Sequence, residues 1–286
     1  MRILIAEGNT EERRKRLAEG GGTDGSVAYE KSLRLFWPQA DIKVIYPADG
    51  DDARPGGTSL ADYDGFVLGG SGLNIPGGEA DPAVRRQVDL AKAVFESGLP
   101  FLGSCWGLQV AAAAAGGIVK PNPRGREMGF ARKVALTPEG QSHPLFENKN
   151  GVFDSPAIHF DEVTHLPSGS TLLATNVHST VQAATIQFRG GTFWGVQYHP
   201  EFDLAHIAGL TRCYAEKLAG EGFYADRTAA TDYADRLDVL QREPSRHDLA
   251  WLLGLDTDVL DSRIRCQEIA NWVEHHVLPY RTARGR

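Results

Sequence analysis

Residues 100–117 read PFLGSCWGLQVAAAAAGG. No other stretch constrains the fold as much. A short apolar run reaches Gly103-Ser104, a single cysteine follows, and an alanine-rich, helix-forming segment begins at once. A strand that turns directly into a helix belongs to a βα unit, and βα units build parallel sheets. The pattern Gly103-x-Cys105-x-Gly107 matches a nucleophile elbow, in which a sharp turn lifts one side chain above the end of a strand. Glycines on both sides let strand and helix approach. The free N–H groups and positive dipole end of a helix over 107–115 then face the sulfur and favour thiolate over thiol. A buried packing cysteine is the competing explanation.

The same alternation runs through the N-terminal half. Strands are expected at Arg2–Ala6, 42–46, Gly65–Leu68 and 101–103, and helices at 27–37, 82–96 and 107–115. Asp81 and Pro82 suit the N-cap and first position of the second helix. Residues 20–25 (GGGTDG) read as a flexible loop, and 47–58 as a polar one. From about 118 the texture changes, and ARKVALT, STLLATN, QAATIQF and TFWGVQYH look like strands between turns. The last 80 or so residues show helical periodicity at 204–218, 229–241, 246–253 and about 260–277. The expected class is α/β: a mostly parallel twisted sheet flanked by helices, with a small antiparallel section and a C-terminal helical extension. Residues 1–205 form the main domain, and 206–286 an extension packed on it, with a small separate domain as the alternative.

Bulk properties narrow the function. With a net charge of −7 the 286-residue chain is a poor partner for nucleic acid. The cluster Arg13-Arg14-Lys15-Arg16 directly follows Glu11-Glu12 and reads as a solvated helix face. Three widely spaced cysteines make no disulfide framework, which fits a reducing compartment and a cytoplasmic location. Cys213 and Cys266 fall on expected helices and read as packing residues. The start, MRILIAEGN, reads as a first strand rather than a signal peptide, and no apolar run reaches the roughly 20 residues needed to cross a bilayer, so no membrane partner is expected.

A cysteine nucleophile needs a base. In TFWGVQYHPEFD (192–203), His199 ends an apolar strand that Pro200 stops, and Glu201 is close enough to orient the imidazole. Cys105, His199 and Glu201 would then be nucleophile, general base and orienter. The plainer alternatives are a structural strand-end histidine and an acidic residue ahead of a helix. His199, Glu201 and His206 fall within eight residues, but their spacing matches no helical ligand pair of the HExxH kind. His275 and His276 are neighbours on an expected helix and point apart. Neither metal nor cofactor is expected.

GSCWGLQ with a downstream GVQYHPEF resembles the class I glutamine amidotransferase family, whose triad is Cys, His and Glu. Gly69-Gly70-Ser71-Gly72 lies where the family has its glycine-rich oxyanion loop. REMGF (126–130) and IHFDEV (158–163) are similar to segments of the amidotransferase domain of GMP synthase. The resemblance covers about residues 1–205. It implies that Cys105 attacks the side-chain amide of glutamine, that the N–H groups of Gly70 and Trp106 hold the oxyanion, and that His199 passes a proton to the leaving ammonia. It implies a glutamine pocket lined by Gln109, with the backbone of His159 and Phe160 also in contact with the substrate. Phe160 stands where the synthase has Gly, and Ser71 where Pro is usual; both changes bear on pocket shape. The chain has no Ser-Gly-Gly-x-Asp-Ser loop of an ATP pyrophosphatase and no GxxxxGK[ST]. Ammonia would therefore pass to a separate synthetase or acceptor protein. Two alternatives are a hydrolase of another γ-glutamyl amide and a non-catalytic binding or regulatory protein on the same fold. The 20–25 loop and the tail are expected to cover the pocket mouth or to form a partner or homo-oligomer surface, against mere surface decoration.

Overall fold

β1 (Arg2–Ala6) is apolar after its first residue, and its last four residues are buried. Such a run needs cover on both faces and neighbours on both edges. The computed structural model, which describes residues 1–50 and 59–286, supplies both. β1 lies between β2 (Asp41–Ile45) and β3 (Gly65–Leu68), parallel to each. β4 (Phe101–Ser104) runs parallel beside β3. The next neighbour in space is the last strand in sequence, β11 (Gly191–Val196), again parallel. Beyond it the sheet turns antiparallel through β10 (Ala183–Phe188), β9 (Ser170–Thr175), β6 (Glu127–Leu136) and the edge strand β7 (Val152–His159), nine strands among the described residues. β5 (Ile118–Pro121) and β8 (Asp161–His165) form a separate two-stranded antiparallel sheet.

The helices cover this sheet. α1 (Glu11–Glu19) and α2 (Gly25–Phe36) follow β1. α3 (Pro82–Ser97) starts as its sequence suggests, with Asp81 Oδ1 accepting the Ala83 N–H at 2.8 Å. α4 (Trp106–Ala114) is buried along nearly its whole length, which its alanines permit. α5 (Pro138–Ser142) follows β6. Under the sheet, Phe101 meets Phe66, Phe95 and Phe193 edge-to-face at ring centroid distances of 5.1, 5.5 and 4.7 Å. Each such pair contributes about 0.5–1.5 kcal/mol beyond the area it buries.

The α/β class agrees with the sequence reading, and several boundaries shift. β5, β7 and β8 were not expected. Most of the expected 47–58 loop lies outside the described residues. The expected 204–218 helix breaks at Tyr214 into α6 (Leu204–Cys213) and α7 (Ala215–Gly220). α8 (Arg227–Arg242) and α9 (His247–Leu253) follow. The expected 260–277 helix is instead a chain of short pieces: α10 (Thr257–Leu260), α11 (Ser262–Arg265) and α12 (Gln267–Trp272). Five residues of π-helix (Val273–Val277) then lead to α13 (Leu278–Ala283). Asp256 and Asp261 each cap a new start, with side chains accepting backbone N–H groups two or three residues on. Among the described residues no helix is long and apolar enough to cross a membrane.

The C-terminal segment shares the core. Trp272 is completely buried against β3, where a Cβ on Gly65 would come within 2.7 Å of its indole. Ile269, Val273 and Val277 join one apolar cluster with Ile3, Ile5 and Val67. Lys149 and Glu268 form an ion pair at 2.9 Å with both side chains about 1% exposed, and Glu268 also accepts the Tyr198 hydroxyl at 2.7 Å. Residues 20–22 do not project as a free loop. They pack beneath α6, where a Cβ on Gly209 would lie 2.6 Å from the Cα of Gly22.

Candidate active site

Three adjacent parallel strands end on one edge of the sheet. β3 runs into Gly70, β4 into Cys105 and β11 towards His199. The crevice beyond the carboxyl ends of parallel strands is where α/β sheets bind ligands.

Cys105 has φ 50° and ψ −99°, a left-handed backbone that a side chain adopts at a cost of about 1–3 kcal/mol. Its N–H donates to Val196 O at 2.8 Å, and its carbonyl accepts the Gln109 N–H at 3.1 Å. The flanking glycines are required by space. A Cβ on Gly103 would lie 2.8 Å from the Phe193 ring and 3.0 Å from the Gly107 backbone, and a Cβ on Gly107 would overlap the Leu68 carbonyl oxygen. The Cys105 thiol lies 3.5 Å from the Ile158 carbonyl oxygen.

His199 Nδ1 and Glu201 Oε1 are 2.7 Å apart, and both side chains are buried. The same Oε1 accepts the Ser104 hydroxyl at 2.7 Å. Burial alone would strip the proton from His199. The Glu201 carboxylate, together with hydrogen bonds to Cys105 and Glu201, overcomes that and holds the imidazole up at about 10. An imidazolium next to a cysteine stabilises the thiolate.

The ring of Phe202 lies flat on His199, with centroids 3.9 Å apart and planes 6° from parallel. His206 stacks on the other face of Phe202 at 3.7 Å. Burial, and then the charge on His199, push His206 down to about 3. Its Nδ1 lies 3.2 Å from the Thr23 hydroxyl. The residue that the sequence brought near a metal reading is the outer ring of an aromatic stack.

A Cβ on Gly70 would fall 2.5 Å from His199 Cε1, so the glycine loop presses directly on the imidazole. Asn9 Oδ1 holds this loop, accepting the Gly72 N–H at 2.9 Å, and Ser71 Oγ accepts the Leu73 N–H at 3.1 Å. That local turn fixes the backbone at the position where proline would otherwise do so. Glu7 Oε1 anchors Asn9 in turn, and Glu7 Oε2 accepts the Ser26 N–H at the start of α2. Trp106 opens α4 fully buried, and its indole N–H donates to Gln87 at 2.7 Å.

Gln109, His159 and Phe160 line one cleft of about 880 Å³ with Cys105, His199 and Gly70. Gln109 donates to Asp161 O at 2.9 Å. The His159 imidazole is already engaged, with Nε2 2.8 Å from Glu127 and Nδ1 3.0 Å from Asp161 O. Phe160 is 39% exposed, and the Arg126 guanidinium lies 5.6 Å from its ring centre.

For the cleft mouth the sequence led to the expectation that the 20–25 loop and the tail would cover it or form a partner surface, but not to which side chains line it. Arg13 of α1 lines it, so the basic cluster is not simply a solvated face. Arg212, Cys213, Tyr214 and Lys217 reach it from α6, α7 and the break between them. Arg126 and Glu221 bridge core and extension across it with two hydrogen bonds of 2.8 and 3.1 Å. Cys213 is thus half-buried at the mouth. Cys266 is fully buried, 3.2 Å from Pro200 O.

The glutamine amidotransferase class-I family model matches residues 55–207. The chain belongs to the class I glutamine amidotransferase family. A γ-glutamyl-L-1-hydroxyisopropylamide hydrolase from a Pseudomonas species is 36% identical over 284 residues, covering 98% of this chain and 94% of that one. The glutamine-hydrolysing GMP synthase of Edwardsiella ictaluri is 32% identical over 140 residues, which is 48% of this chain and 26% of the synthase. A solved glutamine amidotransferase from Thermotoga maritima shares the fold, with a TM-score of 0.67 at 18% identity over 97% of this chain and 98% of its own. This class I amidotransferase-family chain is an amide-hydrolysing enzyme.

Proposed function

We propose that the chain hydrolyses the γ-amide bond of γ-glutamyl amides whose amine carries a substituent. Cys105 thiolate attacks the amide carbon. The backbone N–H groups of Gly70 and Trp106 stabilise the oxyanion. His199, oriented by Glu201, gives its proton to the departing amine, leaving a γ-glutamyl thioester on Cys105. Water, deprotonated by His199, attacks the thioester carbon; glutamate leaves and the thiolate is restored. Residues 1–205 carry this machinery, and 206–286 are an extension that completes the cleft. Cysteine usage suits a cytoplasmic setting.

One observation carries this reading over glutamine as substrate. Residues of α6, α7 and the break between them line the same cleft as Cys105, giving the leaving amine a wall to contact. The similarity to the Pseudomonas hydrolase also spans the extension, whereas that to the GMP synthase covers about half of the chain. The second reading is glutamine hydrolysis with ammonia passed to a separate synthetase. It draws on the family's name and on the likeness to GMP synthases.

The deciding assay follows glutamate release by the purified chain from γ-glutamyl-L-1-hydroxyisopropylamide and from glutamine. The substituted amide is expected to give the higher kcat/KM, and Cys105→Ala is expected to abolish turnover of both. A wild-type preference for glutamine would reverse the order of the two readings. Turnover by Cys105→Ala would reject the thioester route.

A further inference from the structure

The cations around the cleft fall into two groups. Arg126 is paired with Glu221, Arg212 with Asp235 and Asp238, and Arg227 with Glu216. Arg16 and Lys217 are exposed, so water solvates them. Arg13 fits neither group. It is half-buried, it lines the cleft that holds Cys105, and no carboxylate among the described residues pairs with it. The next residue, Arg14, turns the other way to Asp49 and Asp24.

The Arg13 guanidinium lies close to the glycine loop. Its Nη1 lies over Gly72, where any Cβ would collide with it, and the Tyr214 hydroxyl is 3.5 Å from the same point. Gly72 is two residues from Gly70, the glycine in contact with His199. A guanidinium stays protonated at any working pH, and its planar fork matches a carboxylate. Removing part of its hydration without a counter-ion is costly unless a bound ligand supplies the anion.

We propose that Arg13 binds a carboxylate of the substrate, with Tyr214 at its side. The inference rests on the γ-glutamyl reading. Two sources share this chemistry: the α-carboxylate that every γ-glutamyl compound carries, and a carboxylate on the leaving amine.

Binding separates the sources and does not need turnover. Calorimetry on Cys105→Ala is compared with Cys105→Ala/Arg13→Gln and Cys105→Ala/Arg13→Lys, using glutamate, γ-glutamylmethylamide and γ-glutamylglycine. Losing one charged hydrogen-bonding partner is expected to weaken binding roughly 10- to 100-fold, with Lys intermediate because it keeps the charge and loses the fork. If the α-carboxylate is held, all three ligands weaken. If the amine's carboxylate is held, only γ-glutamylglycine does. Unchanged affinity for all three in the Gln variant, or no measurable binding to Cys105→Ala, overturns the proposal. Thermal denaturation confirms that each variant is folded. If wild-type enzyme cleaves none of these amides while Arg13-dependent binding persists, the proposed reaction fails and the carboxylate site stands.

Discussion

The floor and the mouth of the cleft are built on different principles. At the floor, backbone geometry and buried, short hydrogen bonds fix every group: Cys105 in a left-handed turn, His199 on Glu201, and Gly70 against the imidazole. At the mouth, long charged side chains of the core and the extension meet in partly exposed ion pairs such as Arg126–Glu221, and Arg13 of α1 stands among them without a carboxylate partner among the described residues. Buried, interlocked groups set what reaction is possible. Solvent-screened pairs on separate elements can change at little cost to the fold, and so they can set which amide is accepted.

Three substitutions sharpen this contrast. The largest effect belongs to the floor. Glu201→Gln is expected to lower kcat roughly 10²- to 10⁴-fold, by analogy with loss of the orienting acid in a serine triad. It also moves the pH profile. His199 is raised from its ordinary 6.5 to about 10, so the native state keeps a proton that the unfolded chain releases between those values. Its contribution to stability is complete below pH 6.5 and is lost as pH rises towards 10. Without the Glu201 charge, both that loss and the alkaline fall in kcat/KM should begin at lower pH, which pH-rate profiles and denaturation at pH 7 and 9.5 will read. An unmoved alkaline limb would show that Glu201 does not hold the His199 proton.

Next comes the joint between floor and extension. Glu268→Ala leaves Lys149 buried and unpaired and frees the hydroxyl of Tyr198, the residue before His199. A loss of about 3–5 kcal/mol in unfolding free energy is expected from chemical denaturation. A loss below about 1 kcal/mol would show that the extension does not brace this strand end. The smallest effect is at the mouth. Arg126→Ala should cost under about 1 kcal/mol in stability, yet raise KM for substituted amides more than for glutamine. Equal changes in both KM values would remove the mouth from substrate choice.

The floor was legible in the sequence because its requirements are local. GSCWG encodes its own turn, and the clashes at Gly103 and Gly107 are with a neighbouring strand and the adjoining helix. His199 and Glu201 are two residues apart and contact each other directly. At the mouth, a role for the tail was expected, but which side chains enter the cleft was not legible. Helical periodicity cannot show that Arg13 turns to Gly72 while Arg14 turns to Asp49, because tertiary neighbours decide it. β7 escaped detection for a related reason. Pro156 argues against a central strand, and only an edge position makes it tolerable. His159 lines the cleft, and the partner that takes up its ring, Glu127, lies 32 residues away and could not be read from local sequence.

That edge strand has a second consequence. The outer rim of a sheet is a row of unpaired backbone groups, open to recruitment by a strand of another molecule. On β7 the carbonyl of Pro156 accepts the His199 N–H at 2.7 Å, and that of Ile158 faces the Cys105 thiol. The Cys105–His199 cluster therefore doubles as a guard on the sheet's open border. Variants that loosen the 196–201 segment would uncover an adhesive rim along with losing turnover, and self-association would accompany inactivity.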